Sequence, residues 1–291
     1  VPCSHLRVPD SVGLIRLWRT VVRLTLERNM RNIYLVLGAV GTALLSANCG
    51  RTDSSIDQME LTAANAQRLV IPTSNAGVTF KNVQRTLVAA FTERGAPLAN
   101  VSLPLEARDR FIVRNVNSDR LGLSVETVGI RNVTAQIENG LVHYRDAFGE
   151  GTDVMHRVTT EGTEDYVSFA NAPAEAKLSY KVSLGKEIAG LRLISNTLEF
   201  VDANGAPRLR VNPPAGVDAH GNTFAAHLAV NDCAVDSDPR APWGRPVTRP
   251  GGSICTVSVT WDSSIAYPAT IDPAWVTGAS MAQNNISHEM A

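Results

Sequence analysis

The chain has 291 residues, with 27 Lys+Arg against 28 Asp+Glu and a hydrophobic content of 44%. This length is enough for one or two domains with a buried core, and the composition excludes wholesale disorder and a supercharged nucleic-acid binder. Aromatic residues make up only 5% of the chain, so the core has to consist mainly of Val, Ile, Leu and Ala.

The charges are distributed unevenly along the chain. Residues 1–49 carry six Arg and two acidic residues, which leaves 21 basic and 26 acidic residues for residues 50–291. The body of the protein is therefore mildly acidic, and we expect no nucleic-acid partner.

Residues 1–29 contain Arg16, Arg19 and Arg23 at a helical spacing, which is typical of a basic amphipathic stretch. A leader of this length ahead of an export signal is unusual. We therefore expect that translation begins at Met30 and that residues 1–29 are a mis-assigned upstream leader.

Residues 30–49 have the form of a secretory signal peptide. A short basic segment at Arg31 precedes thirteen apolar or small residues over 33–45, followed by a small-residue exit. The apolar run is shorter than the ~20 residues of a membrane-spanning helix. The sequence thus predicts a cleaved signal helix and an exported protein.

Cys49 follows the small residues directly and resembles the cysteine of a bacterial lipobox. The resemblance implies that Cys49 is acylated and becomes the N-terminus of an outer-membrane lipoprotein anchored through its lipid. The alternative is an ordinary cleaved signal with an incidental cysteine and an extracellular protein.

Residues 50–76 are polar and small, as in a flexible tether. From residue 77 apolar and polar residues alternate, which predicts strands with one buried face. These segments are 111–116, 121–128, 133–137, 178–184 and 256–261. No amphipathic helical pattern longer than about two turns occurs in the mature chain.

Asn139-Gly140 and Asn204-Gly205 separate pairs of alternating segments, and residues 219–222 offer a third turn. Asn-Gly at such a position predicts a hairpin with a type I′ turn. The predicted fold is therefore an all-β antiparallel sandwich, built as two packed or tandem sandwich-like units. We place the first β unit at 77–139 and the second, with a disulfide loop, at 140–277.

Cys233 and Cys255 are the only other cysteines of the mature body, and strand-like sequence flanks both. The chain lacks the CxxC-type spacing of a zinc site, so we predict a disulfide formed in an oxidising compartment. On the chain-entropy estimate such a bond stabilises the fold by about 3 kcal/mol.

Acidic residues crowd the same loop. Asp232, Asp236 and Asp238 could supply oxygen ligands to calcium, although the spacing differs from an EF-hand loop. The alternative is a solvated loop in which Asp238 fixes a turn before Pro239. Calcium is the one cofactor that the sequence suggests.

Trp243 and Trp275 could stack on sugar rings, or could belong to the core and the domain edge. Glu161, Glu164 and Asp165 are the candidates for a carboxylate pair, with a structural role in a turn as the alternative. The chain contains no Gly-x-Ser-x-Gly motif and no metal-type histidine spacing, so we expect no enzymatic activity.

A resemblance to a known family follows from four segments in order: Tyr-Arg-Asp-Ala-Phe-Gly-Glu-Gly-Thr-Asp-Val (144–154), Glu-Gly-Thr-Glu-Asp-Tyr-Val (161–167), the Asn204-Gly205 hairpin and Ala-Tyr-Pro-Ala-Thr-Ile-Asp-Pro-Ala-Trp (266–275). Together they resemble the N-terminal β-rich module of secreted bacterial proteins, which precedes β-propeller or kelch-type repeat arrays. Residues 236–247 resemble the version found in lipoproteins of myxobacteria-like organisms. The resemblance implies export and architecture, and no catalytic residues.

In the family the repeats would follow residue 277, so 278–291 is a tail or the truncated start of a repeat region. We therefore expect an exported, lipid-anchored and non-enzymatic β-module that acts as a scaffold or interaction domain at the cell envelope. Its partners would be the membrane, through the anchor, and an envelope protein or glycan. The alternative is a carbohydrate-binding or glycan-degrading β-sandwich.

Overall fold

Residues 71–92 and 96–277 are described by the computed structural model, and they form nineteen strands and no helix. This part of the chain accordingly contains no helix that could cross a membrane. The leader, the signal peptide with Cys49, most of the tether and the tail from 278 lie outside the described residues.

The first ten strands are β1 (Val78–Val83), β2 (Thr86–Phe91), β3 (Ala99–Pro104), β4 (Phe111–Asn115), β5 (Gly122–Thr127), β6 (Gln136–Glu138), β7 (Leu141–Tyr144), β8 (Thr152–Val158), β9 (Gly162–Phe169) and β10 (Lys177–Leu184). The remaining nine are β11 (Gly190–Ile194), β12 (Thr197–Val201), β13 (Pro207–Val211), β14 (Ala215–Val217), β15 (Thr223–Ala225), β16 (His227–Asn231), β17 (Ile254–Thr260), β18 (Ala269–Asp272) and β19 (Ala274–Thr277).

Two antiparallel sheets pack together as a β-sandwich, which confirms the predicted fold class. Sheet 1 has eight strands in the order β1-β2-β3-β4-β5-β10-β17-β16. Sheet 2 has eleven strands, with β11-β12-β13-β19-β9-β18-β14-β15 as its main path and β6, β7 and β8 joined to it through β9. Sheet 1 therefore combines strands from both of the ranges, 77–139 and 140–277, that the sequence suggested as units.

One hydrophobic core lies between the sheets. Val113 and Val125 of sheet 1 and Leu209 and Ile271 of sheet 2 are among the side chains that are fully buried there. Each such burial stabilises the fold by about 1.5–3 kcal/mol, which explains how a chain poor in aromatic residues supports a sandwich. The alternation seen in the sequence is the alternation between this core and the outer faces.

Asn139 and Gly140 both have positive φ and join β6 to β7, so the type I′ hairpin predicted there is confirmed. At the second Asn-Gly pair the turn is present but its type differs. Only Gly205 has positive φ, and the turn is held by Asp202, whose amide donates to the carbonyl of Ala206. The third turn lies between β14 and β15.

Candidate functional site

The loop between β16 and β17 is closed at its base by a disulfide. Cys233 and Cys255 are joined with an S–S distance of 2.01 Å and a Cα–Cα distance of 5.4 Å. Cys255 lies in β17 and is fully buried, so the bond ties the loop to the core. The predicted disulfide is confirmed, and a disulfide fits a protein that folds in an oxidising compartment.

This disulfide loop (residues 234–254) leaves sheet 1, covers an edge of sheet 2 and returns. The amide of Asp236 donates to the carbonyl of Leu191 at 2.9 Å, and the amide of Leu193 donates to the carbonyl of Asp236 at 2.9 Å. Both partners belong to β11, the first strand of sheet 2. The loop therefore satisfies backbone groups that an exposed edge strand would present to other chains.

Two arginines hold the loop in place. The side chain of Arg192 is 8% exposed, and it donates to Glu199 at 2.7 Å and to the carbonyls of Asp238 and Arg240. Arg245 donates to the carboxylates of Asp236 at 2.8 Å and Asp238 at 3.0 Å. We call this set, Arg192 and Arg245 with their partners, the arginine brace.

The arginine brace occupies two of the three carboxylates that the sequence suggested as calcium ligands. Asp236 and Asp238 face Arg245, and hydrogen bonds from Arg240 hold the pKa of Asp238 below its usual range. Asp232 instead accepts a hydrogen bond of 2.6 Å from Thr256. Over residues 71–92 and 96–277 no three metal-binding side chains converge, and calcium stays a prediction.

The two tryptophans proposed for sugar stacking lie in different environments. Trp275 is 1% exposed, and its ring packs edge-on against Phe111 and Tyr180 with centroids 5.7 Å and 5.3 Å away. The structure thus places Trp275 in the core, which was the alternative reading of the sequence. Trp243 is 47% exposed on the disulfide loop, and sugar stacking there stays a prediction.

The candidate carboxylates Glu164 and Asp165 are consecutive on β9 and therefore point to opposite faces of sheet 2. Glu164 lies on the outer face, where Arg157 donates to it at 3.1 Å and Tyr166 at 2.9 Å. Asp165 lies in the core and is 2% exposed. The structure does not bring these two carboxylates together, and Glu161 lies in the turn before β9.

Asp165 is the most deeply buried acid in the described part of the chain. Its carboxylate accepts hydrogen bonds from Tyr180 at 2.7 Å and from the indole of Trp275 at 3.0 Å. Burial raises the pKa of Asp165 well above its usual range, and the two hydrogen bonds oppose that rise only in part. The arrangement is a buried polar link between the sheets, because Tyr180 belongs to sheet 1.

Asp272 is a buried acid with a strongly raised pKa, and the sequence did not single it out. Burial and the nearby Glu164 carboxylate raise the pKa of Asp272 to about 7, while Arg157 opposes the rise. Its Oδ1 atom is enclosed and has no hydrogen-bond partner among the described residues. An enclosed acid can change the stability of sheet 2 with pH, but it offers little to a substrate. The signal available in the sequence was weak, because Asp272 stands between Ile271 and Pro273 at the end of a short strand.

The histidines of β7 and β8 lie apart as well. His156 is 4% exposed, stacks edge-on with Phe111 and Tyr144, and has its pKa lowered to about 3 by burial. His143 occupies an outward position on β7. The two rings therefore lie on opposite faces of sheet 2 and cannot bind one ion.

A groove of about 410 Å³ crosses the outer face of sheet 2 between β8, β9, β18 and the turn after β14. Its polar groups already have partners. Ser168 and Thr270 share a hydrogen bond of 2.9 Å, and Asp153 accepts from the amide of Asp146 and from Arg145. The groove therefore offers few unpaired groups to a ligand.

Comparison of the chain with protein-family models, with curated proteins and with solved structures finds no match.

Proposed function

We propose that the protein is an exported, lipid-anchored and non-enzymatic β-module that acts as a scaffold or interaction domain at the cell envelope. The observation that carries this proposal is the Cys233–Cys255 disulfide, which closes the loop covering the edge of sheet 2. Such a bond persists in secreted and periplasmic proteins and is rare where thiols are kept reduced.

Two further features support the proposal. The signal-like segment 33–45 and Cys49 supply a route of export and a point of attachment. The polar groups at the proposed sites serve the fold instead of converging on a cleft: the arginine brace pairs Asp236 and Asp238, and Asp165 lies in the core. The loop that covers the β11 edge of sheet 2 protects that edge from pairing with other chains.

The anchor is the part of this proposal that is tested first. Cells that express the full chain are labelled with a palmitate analogue, and the wild-type protein is expected to carry the label and to partition with membranes. Cys49→Ser should abolish both, whereas Cys233→Ser/Cys255→Ser, which keeps Cys49, should still carry the label. A Cys49→Ser protein that still carries the label and still partitions with membranes would overturn the anchor.

A further inference from the structure

We infer that the outer face of sheet 1 is the interaction surface of this module and that its partner is an acidic polysaccharide. The inference rests on the proposed function and names the partner of that module. It is carried by the charge of the face, by the hydroxyl groups on it and by the contrast with sheet 2.

The charge of this face is opposite in sign to that of the body. Residues 50–291 carry five more acidic than basic residues. The outward positions of the sheet 1 strands carry four basic residues and one acid; these are Lys81, Arg114, Lys177, Lys181 and Glu126. A positive face on a negative protein attracts polyanions and turns that face towards them.

The positive charges of β10 are available to a partner. Lys177 and Lys181 are both exposed, and neither forms an ion pair with any residue in the described ranges. Glu126, which lies opposite Lys181 on β5, is paired instead with Arg110 at 3.2 Å. The Cα atoms of Lys177 and Lys181 lie about 13 Å apart along one strand. Two positive charges in a row along a strand suit a polymer with repeating negative charges.

Small hydroxyl side chains fill the space around the lysines. Ser179 and Ser183 alternate with the lysines on β10, and Thr256, Ser258 and Thr260 occupy three of the four outward positions of the neighbouring β17, the fourth being Ile254. Ser258 is 3% exposed, and its hydroxyl has no hydrogen-bond partner among the described residues. The Ser258 hydroxyl is enclosed, whereas Ser179, Ser183 and Thr260 are partly exposed and can exchange hydrogen bonds with a hydroxyl-rich ligand.

The side chains that are missing from this face help to identify the partner. The outward positions of the sheet 1 strands carry no Phe, Tyr or Trp, the side chains on which single-stranded nucleic acids stack. They also lack the aromatic and leucine-rich surface that inserts into a membrane interface. An acidic sugar polymer would therefore be held on this face by ion pairs with the lysines and by hydrogen bonds to the hydroxyls, and not by the ring stacking considered for Trp243.

The outer face of sheet 2 differs from that of sheet 1 in its charge. On its outer face basic and acidic residues are mixed, and several are paired within the protein, as in Arg157 with Glu164 at 3.1 Å and Arg192 with Glu199 at 2.7 Å. Such a face has little net charge to offer a polyanion. Of the two outer faces, that of sheet 1 therefore has the net positive charge that favours binding of a polyanion.

The test measures binding of the purified full-length protein to polygalacturonate, with neutral dextran as the comparison polymer. We expect binding to polygalacturonate that weakens as salt rises, and little binding to dextran. The double variant Lys177→Gln/Lys181→Gln should weaken binding by at least about fivefold. Arg131→Gln/Arg208→Gln removes the same charge at exposed positions, with Arg208 on β13 of sheet 2, and should stay within about twofold of the wild type. Trp243→Ala should also leave binding unchanged.

Four results would overturn the inference: no binding to polygalacturonate, equal binding to dextran, equal losses in the two double variants, or stronger binding to DNA or to anionic phosphatidylglycerol vesicles. Circular dichroism of both double variants checks that their folds are intact. Lipid labelling through Cys49 is measured on the same preparations. A protein that is labelled but does not bind polygalacturonate contradicts the surface alone and leaves the proposed export standing.

Discussion

The indole of Trp275 donates a hydrogen bond of 3.0 Å to the carboxylate of Asp165, across 110 residues of sequence and inside the core. Tyr180 of the opposite sheet donates to the same carboxylate at 2.7 Å. One buried acid thus joins the two sheets. This link explains why the carboxylate that looked catalytic in the sequence has a structural role.

Removal of the Asp165 carboxylate should lower the free energy of unfolding substantially. Asp165→Ala leaves the hydroxyl of Tyr180 and the indole of Trp275 without an acceptor and opens a small cavity, so we expect a loss of about 3–5 kcal/mol in the free energy of unfolding. Asp165→Asn keeps an acceptor and should cost less. Urea titration followed by tryptophan fluorescence measures both, and an Ala variant as stable as the wild type would contradict the link.

Asp272 should make sheet 2 less stable as pH rises. The pKa of Asp272 is about 7 in the folded protein against 3.8 without perturbation, so the native state keeps a proton that the unfolded state loses. Its contribution is therefore present below pH 3.8 and is lost as pH rises to about 7. Asp272→Asn should be more stable than the wild type by roughly 2–4 kcal/mol at pH 8 and nearly equal to it at pH 3.5. A constant difference across that range would argue against a raised pKa.

His156 should make the protein less stable as pH falls, which is opposite to the effect of Asp272. Because burial lowers the pKa of His156 from 6.5 to about 3, the folded protein resists a proton that the unfolded chain takes up, and stability falls as pH falls through that window. We expect the imidazole signals of His156 to remain those of the neutral ring at pH 5 in an NMR titration. A midpoint near the ordinary value of 6.5 would show that the ring is not enclosed as described.

If the arginine brace holds the loop, Arg192 should contribute much more to the free energy of unfolding than Arg208. Arg192→Met removes a side chain that is 8% exposed and leaves Glu199 unpaired, so we expect a loss of about 2–4 kcal/mol and faster amide exchange at Leu193. Arg208→Met removes an ion pair with Asp202 in which the arginine is 43% exposed, and it should cost less than about 1 kcal/mol. Similar losses in both variants would mean that the brace does not hold the loop.

The turn between β1 and β2 offers a stabilising change. Gln84 and Arg85 both have positive φ, at 49° and 65°, a conformation that Asn and Gly adopt more readily. Gln84→Asn/Arg85→Gly should therefore raise the free energy of unfolding by roughly 0.5–1 kcal/mol. Thermal unfolding measures the change, and a lower melting temperature would contradict the turn assignment.

The alternation of apolar and polar residues was sufficient to predict β4, β5, β10, β17, the fold class and the turn at Asn139-Gly140, because each depends on local sequence. In the predicted segment 133–137 the strand begins only at Gln136. The turn at Gln84-Arg85 was missed because its residues are not those that a type I′ turn prefers. The disulfide was predicted because two cysteines leave one pairing. The role of Asp165 was not predictable, since Tyr180 and Trp275 reach it only through the packing of distant strands.

The most direct test of the central proposal is the intact mass of the protein isolated from the membranes of cells that express the full chain. We expect a mature chain that begins at Cys49, carries acyl groups there, and has the mass of a chain with the Cys233–Cys255 disulfide intact. A chain that still contains residues 30–48 and has free thiols at Cys233 and Cys255 would contradict both export and the oxidised fold.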